Sequence, residues 1–240
     1  MLERILNFGA YTRGGGDGTA YDFDGTGDKL TVADHADWDF GSDPFCIELW
    51  VYITDSTQND SLVSHGAANG ETWELLHLGS SNQLQWQTES AAETNLTIQE
   101  TWNPSNATWY HVAFSRDGSN NYRMFIDGTI LGSATNSAAN PPSLGGDLAL
   151  AERAWTAGNT FDGRMDEIRI SKGVARYTAN FIVQTAQHKI DANTVLLIHC
   201  GEAIVSGTTG SGATFVESGN TGHTITENAN AIRDTTIFKF

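Results

Sequence analysis

Phe45-Cys46-Ile47-Glu48-Leu49-Trp50-Val51-Tyr52-Ile53 is the stretch that decides the fold. Successive side chains of a strand point to opposite faces, so Phe45, Ile47, Leu49, Val51 and Ile53 share one face and Cys46, Glu48, Trp50 and Tyr52 the other. Both faces carry bulk, which predicts a central strand. Outward from it, short apolar alternations recur about every ten residues between Gly, Asn, Asp and Ser clusters, the pattern of an antiparallel sandwich. Tyr110–Ser115 alternates, Asp117-Gly-Ser-Asn turns the chain into Tyr122–Ile126, and Asp127-Gly128 is a type I′ signal that returns it through Ile130 and Leu131. Three meander strands are expected there.

Composition points the same way. The 240 residues are 39% hydrophobic and include 25 glycines, enough for one substantial core, while 13 Lys plus Arg are too few for coiled coils or helical repeats. A formal charge of -16 repels a phosphate backbone and an anionic bilayer, so neither nucleic acid nor membrane is expected as a partner. The opening MLERILNFGAYTRGGG lacks the apolar run of a secretion signal, so the chain as given reads as soluble and both Asn-x-Thr matches, at Asn95 and Asn106, as chance. Cys46 and Cys200 lie in apolar strands and read as small buried residues, unbridged. Residues 1–18 read as an N-terminal arm and 19–240 as one domain, with loops at 135–144 and 151–161 on one rim and a turn or short helix over 174–181.

Few motifs carry chemistry. His35, His65, His77, His111, His188, His199 and His223 never fall at zinc-ligand spacing, so they read as sheet positions. Gly210-Ser-Gly-Ala lacks the spacing of a nucleophile elbow. A glycosidase needs paired carboxylates, about 5 Å apart in the retaining kind. Asp166 and Glu167 are adjacent and expected on opposite sides of a strand, and an ion pair between Glu167 and an arginine is the plainer expectation. Asp22, Asp24 and Asp28, with Asp162 and Asp166, supply oxygens that a calcium ion could use; Asp24 and Asp166 are the candidates. Among seven tryptophans, Trp50 and Trp109 are expected in the core, while Trp102 beside Asn103-Pro104 and Trp155 in a polar loop are the candidates for stacking on a sugar ring.

Taken in order, Phe23-Asp-Gly-Thr-Gly-Asp-Lys-Leu-Thr-Val, Trp38-Asp-Phe-Gly, Phe45-Cys-Ile-Glu-Leu-Trp-Val, Trp109-Tyr-His-Val-Ala-Phe-Ser-Arg, Met124-Phe-Ile-Asp-Gly and Phe161-Asp-Gly-Arg-Met-Asp-Glu-Ile-Arg-Ile-Ser resemble the laminin-G-like, concanavalin A-like jelly-roll family, above all the version in structural proteins of tailed bacteriophages. The resemblance spans residues 21–183 and implies an all-β, two-sheet jelly roll. It also implies a non-enzymatic virion structural protein, a capsid decoration or head/tail fibre component at the virion surface. The alternative is an extracellular lectin-like adhesion module that binds polysaccharide. The wider fold's enzymes carry an acidic strand signature that is missing here, so their activity is not implied.

The segment 194–240 looks like one that normally opens such a domain, and is expected to close this sandwich or that of a neighbouring subunit. Leu2, Ile5, Leu6 and Phe8 at one end, and Ile237, Phe238 and Phe240 at the other, are apolar where termini are usually polar. They are therefore expected to dock on another copy of the chain or on a major capsid or tail protein.

Overall fold

The structure is a computed structural model describing residues 19–200, 212–219 and 221–239, and the backbone of 204–206. Leu2, Ile5, Leu6, Phe8 and Phe240, and with them the N-terminal arm, lie outside the described residues. Chain order runs β1 (Ala20–Asp24), β2 (Lys29–Val32), a 3-10 turn (Ala36–Trp38), β3 (Phe45–Ile53), β4 (Asn59–Gly66), β5 (Thr72–Leu78) and β6 (Gln83–Glu89). It continues through β7 (Leu96–Thr101), β8 (Thr108–Arg116), β9 (Asn121–Ile126), β10 (Thr129–Asn136), β11 (Leu148–Leu150) and β12 (Asp162–Lys172). Then come β13 (Thr194–Ile198), β14 (Ile204–Ser206), β15 (Thr214–Val216), β16 (Thr224–Asn228) and β17 (Ile232–Asp234).

Two antiparallel sheets result. The first has the order β10-β9-β8-β3-β12-β1-β17 with β13 also on β12, and the second β14-β15-β16-β2-β11-β4-β5-β6-β7. β3 is central, as its two apolar faces require: it pairs with β8 from Phe45↔Arg116 to Ile53↔Thr108, and with β12 on its other side. The β8-β9-β10 meander forms, and Asp127 and Gly128 take the two positive φ angles, 48° and 75°, of the type I′ turn. Strands of the 194–240 segment extend both sheets within the chain, β13 on β12, β16 on β2 and β17 on β1.

The inward faces meet in one core. Phe45, Ile47, Leu49, Val51 and Ile53 are fully buried, Phe40 stacks on Phe45 at 4.2 Å, and Trp86 stacks on Phe114 at 4.3 Å and on Trp73 at 5.5 Å. Burial of each such side chain is worth about 1.5–3 kcal/mol. Cys46 and Cys200 are buried and form no disulfide. Trp50 is in place beneath Lys239, but Trp109 departs from expectation: it is only half-buried, edge-on to Tyr52. It lies near the start of β8, where the outer cover of the first sheet ends.

That cover is residues 173–193, which cross the outer face of the first sheet as irregular chain rather than a helix. Tyr177 and Phe181 stack at 3.5 Å and pack beside Phe125. Beneath them Glu48 is fully buried and accepts from three elements: Arg169 Nε and Nη2 at 2.8 and 2.6 Å, His111 Nε2 at 3.2 Å and Tyr177 Oη at 2.7 Å. Burial would raise the Glu48 carboxyl, but the hydrogen bond from His111 and the nearby positive charge of Arg169 outweigh it and hold the group well below the usual range. The arginine partner expected for Glu167 thus belongs to Glu48. Glu167 sits at φ 51° in a bulge of β12, pairs with His199 at 2.7 Å and accepts from the His188 amide at 2.6 Å.

Glu48→Gln leaves Arg169 as a buried, unpaired cation and is expected to cost about 3–5 kcal/mol in denaturant unfolding. His188 Nδ1 faces Gln184 Nε2, which leaves the proton on Nε2, and burial keeps the ring neutral by lowering its pKa to about 3. The unfolded ring titrates near 6.5, so the unfolded chain binds the extra proton below that pH. This contribution to stability is complete above about pH 6.5 and lost towards pH 3, by at most about 1.4 kcal/mol per pH unit. His188→Gln should flatten the pH dependence of unfolding in that window; an unchanged slope would refute the assignment.

Candidate functional site

The outer face of the second sheet carries a different kind of surface. On β5 and β6 the inward positions are Trp73, Leu75, Leu84 and Trp86, so the alternation that builds the core places Glu74, Gln85 and Gln87 outward, with Gln99 of β7 opposite Gln85. These four form a row. Gln99 Nε2 donates to Gln85 Oε1, Gln85 Nε2 to Gln87 Oε1 at 2.6 Å, and Gln87 Nε2 to Glu74 Oε2 at 3.0 Å. The direction is set by Glu74: a carboxylate only accepts, so Gln87 must turn its N–H to it, and each amide behind follows suit. Gln85 and Gln87 each use one donor and one acceptor in the row, and each keeps one N–H and one oxygen lone pair in reserve.

The row ends at a loop. Arg153 Nε lies 3.2 and 3.3 Å from the two oxygens of Glu74, and its guanidinium lies 5.5 Å from the centre of the Trp155 ring. Burial raises the Glu74 carboxyl despite Arg153. The loop of residues 151–160 is pinned along β4: Ser64 Oγ donates to Glu152 O and accepts from the Ala154 amide, and the Ser61 amide donates to Asn159 O at 2.7 Å. Trp155 lies on Gly66, where a Cβ would come within 2.3 Å of its ring. Gly66 is therefore what lets Trp155 approach the sheet, and the ring is left half-buried. Beyond the loop's far end, Thr57, Gln58, Asn59, Ser80, Asn159 and Thr160 line a polar pocket of about 310 Å³.

The other sequence candidates fall elsewhere. Trp102 is 6% exposed, edge-on to His77 and Tyr110, so it is a core residue and offers no stacking face. Asp24 lies opposite Asp162 at the end of β12, and Asp166 is four residues further along that strand, about 13 Å away at strand rise. One ion cannot bridge them. Asp24 instead accepts from the Thr26 amide and Asn230, and Asp166 from the Glu167 and Lys239 amides. Phe238 is 41% exposed, and Ile237 is half-buried. Sequence spacing missed the amide row, although the alternation of Gln83, Gln85 and Gln87 was its signal. It also missed two clusters of potential ligands, His35 with Asp37 and His223, and Glu48 with His111 and His188, which the fold gathers from distant segments.

Comparison with known proteins bears on the fold. Among curated proteins no sequence matches this chain. A Bacteroides ovatus protein named for an inferred carbohydrate-binding role superposes with a TM-score of 0.61 at 14% identity over 90% of this chain, which spans 59% of that protein's length. Domain 4 of AbnA, an extracellular GH43 arabinanase of Geobacillus stearothermophilus solved with arabinotriose, gives 0.51 at 22% identity over 65% of this chain and 71% of its own. The family model of the concanavalin A-like lectin/glucanases superfamily matches residues 24–176. That match covers more than half of the sequence, and the chain belongs to this superfamily.

Proposed function

We propose that the chain is a non-catalytic, lectin-like adhesion module that binds a polysaccharide on the outer face of the second sheet. The observation that carries this reading is the row Gln99-Gln85-Gln87-Glu74-Arg153 running up to Trp155. A sugar hydroxyl both donates and accepts, and an amide with one N–H and one lone pair to spare matches it. A half-buried indole offers an apolar face for pyranose or furanose C–H groups. A non-catalytic role is supported by Glu74 itself, whose oxygens are occupied by Arg153 and Gln87, where a retaining glycosidase would place a second carboxyl about 5 Å away.

The arabinotriose complex of the AbnA domain makes arabino-oligosaccharides the first probes, followed by a glycan array. Calorimetry should detect binding that weakens about tenfold, or about 1.4 kcal/mol, in Gln87→Ala and more in Trp155→Ala. Gly66→Ala should weaken it as well, by pushing the ring off the sheet, without touching any polar group. A glycan that binds all three variants as well as the parent protein would sink this assignment, as would reducing-sugar release from any bound polysaccharide.

A second reading places the module on a bacteriophage particle, and one observation favours it. Val216, Ile232 and Phe238 are large apolar residues at least 41% exposed on the C-terminal segment, where β17 forms an edge of the first sheet. Such a strand edge can accept another chain. Removal of 232–240 should reduce self-association or particle binding in sedimentation while circular dichroism stays β-rich; assembly unaffected by the truncation would argue against it.

A further inference from the structure

We propose that His35, Asp37 and His223 form a binding site for one divalent transition-metal ion of the zinc class, which clips the C-terminal strands to the rim of the sandwich. His35 caps the 3-10 turn between β2 and β3, and His223 lies in the connection between β15 and β16. His223 Nε2 is 2.8 Å from Asp37 Oδ2, His35 Nδ1 is 3.0 Å from the same oxygen, and all three atoms lie within 4.8 Å of one another.

The cap position fixes which nitrogen of His35 faces Asp37. As the cap of the turn, its Nδ1 accepts from the Asp37 amide at 3.3 Å, which requires a lone pair on that nitrogen. The same nitrogen lies 3.0 Å from Asp37 Oδ2, so its one lone pair is already aimed at the cluster, and an ion bound there would take the place of the amide hydrogen bond. Two imidazole nitrogens and one carboxylate oxygen make a donor set for zinc and its neighbours, with a fourth position left for water. Calcium instead asks for six or more oxygens.

The surroundings suit a bound ion. Metal bonds of about 2.0–2.1 Å place tetrahedral ligand atoms about 3.4 Å apart, so the two contacts to Asp37, at 2.8 and 3.0 Å, must lengthen by about half an ångström, while the two rings, whose ligand atoms lie within 4.8 Å, adjust about the ion. His35, with 52% of its side chain exposed, is free to do so and leaves a route for the ion. Behind it the buried Trp38 packs at 4.8 Å from the His223 ring, and Lys172 Nζ donates to Ala36 O, which holds the turn. The other cluster, Glu48 with His111 and His188, is a poorer home. It is fully buried, and Arg169 already supplies its positive charge.

The test uses tag-free, full-length protein stripped with EDTA. Titration with zinc chloride should show one saturable site per chain with proton release, and a zinc-dependent rise in Tm. Zinc affinity should fall roughly tenfold or more in His35→Ala and in His223→Ala, while His188→Gln and calcium chloride leave the response unchanged. His35→Ala alters an exposed side chain and keeps the experiment readable if His223→Ala misfolds. Absence of saturable zinc binding, equal affinity in His35→Ala, or loss of binding only in His188→Gln would each overturn the proposal.

Discussion

The charge that most of this architecture answers to is the carboxylate of Glu48, buried on the outer face of a central strand. An isolated carboxylate there would cost several kcal/mol to desolvate, so it must be surrounded by donors. Arg169 comes from the neighbouring strand on one side, His111 from the strand on the other, and Tyr177 from the chain that crosses above. Because the third donor is not in the sheet, satisfying Glu48 also fixes where residues 173–193 lie. Arg176 of the same segment comes within 3.9 Å of Glu48 as well and pairs with Asp191, which braces the segment internally. Such a network is weak evidence for net stability but strong evidence for a single arrangement, since each partner left alone would be an unpaired buried group.

Residues 173–193 cross the outer face of the first sheet, and on the second sheet the outward row is open to solvent at Gln87 and Gln99, while Gln85 and Glu74 lie buried between their neighbours. The same alternation that inserts Trp73 and Trp86 into the core sets Glu74 and Gln87 beside each other on the opposite side. Their geometry is held by rigid strands, while the aromatic partner Trp155 comes from a loop fastened at several backbone positions. A recognition surface built this way needs little ordering when a ligand arrives, which lowers the entropic cost of binding. Gly66 shows how closely the two parts are fitted, since a single methyl group there would displace the indole.

How much of this could be read from residues in order depends on the range of the interaction. The central place of β3, the β8-β9-β10 meander and the Asp127-Gly128 turn are local matters of alternation and backbone conformation, and they were legible. Trp102 was misread because a Pro-flanked strand end looks the same whether its ring turns in or out; burial against His77 and Tyr110 is decided by the other strands. Glu167 was given the wrong partner because a bulge in β12 breaks the alternation. Met165, Ile168 and Ile170 all reach the core at spacings of three and then two, which a regular strand cannot do.

What the sequence by itself determined is the all-β class, the central strand, the turns and the two buried thiols, because each follows from the period of the side chains or from the conformational limits of a few residues. Only the tertiary structure decided which polar groups meet. Glu48 and Tyr177 are 129 residues apart, Arg153 and Glu74 are 79 apart, and His223 and Asp37 are 186 apart. No local period encodes such pairs. They arise when sheet order brings separate strands and loops together, and a buried or converging charge then selects, among the groups within reach, the one that can donate to it.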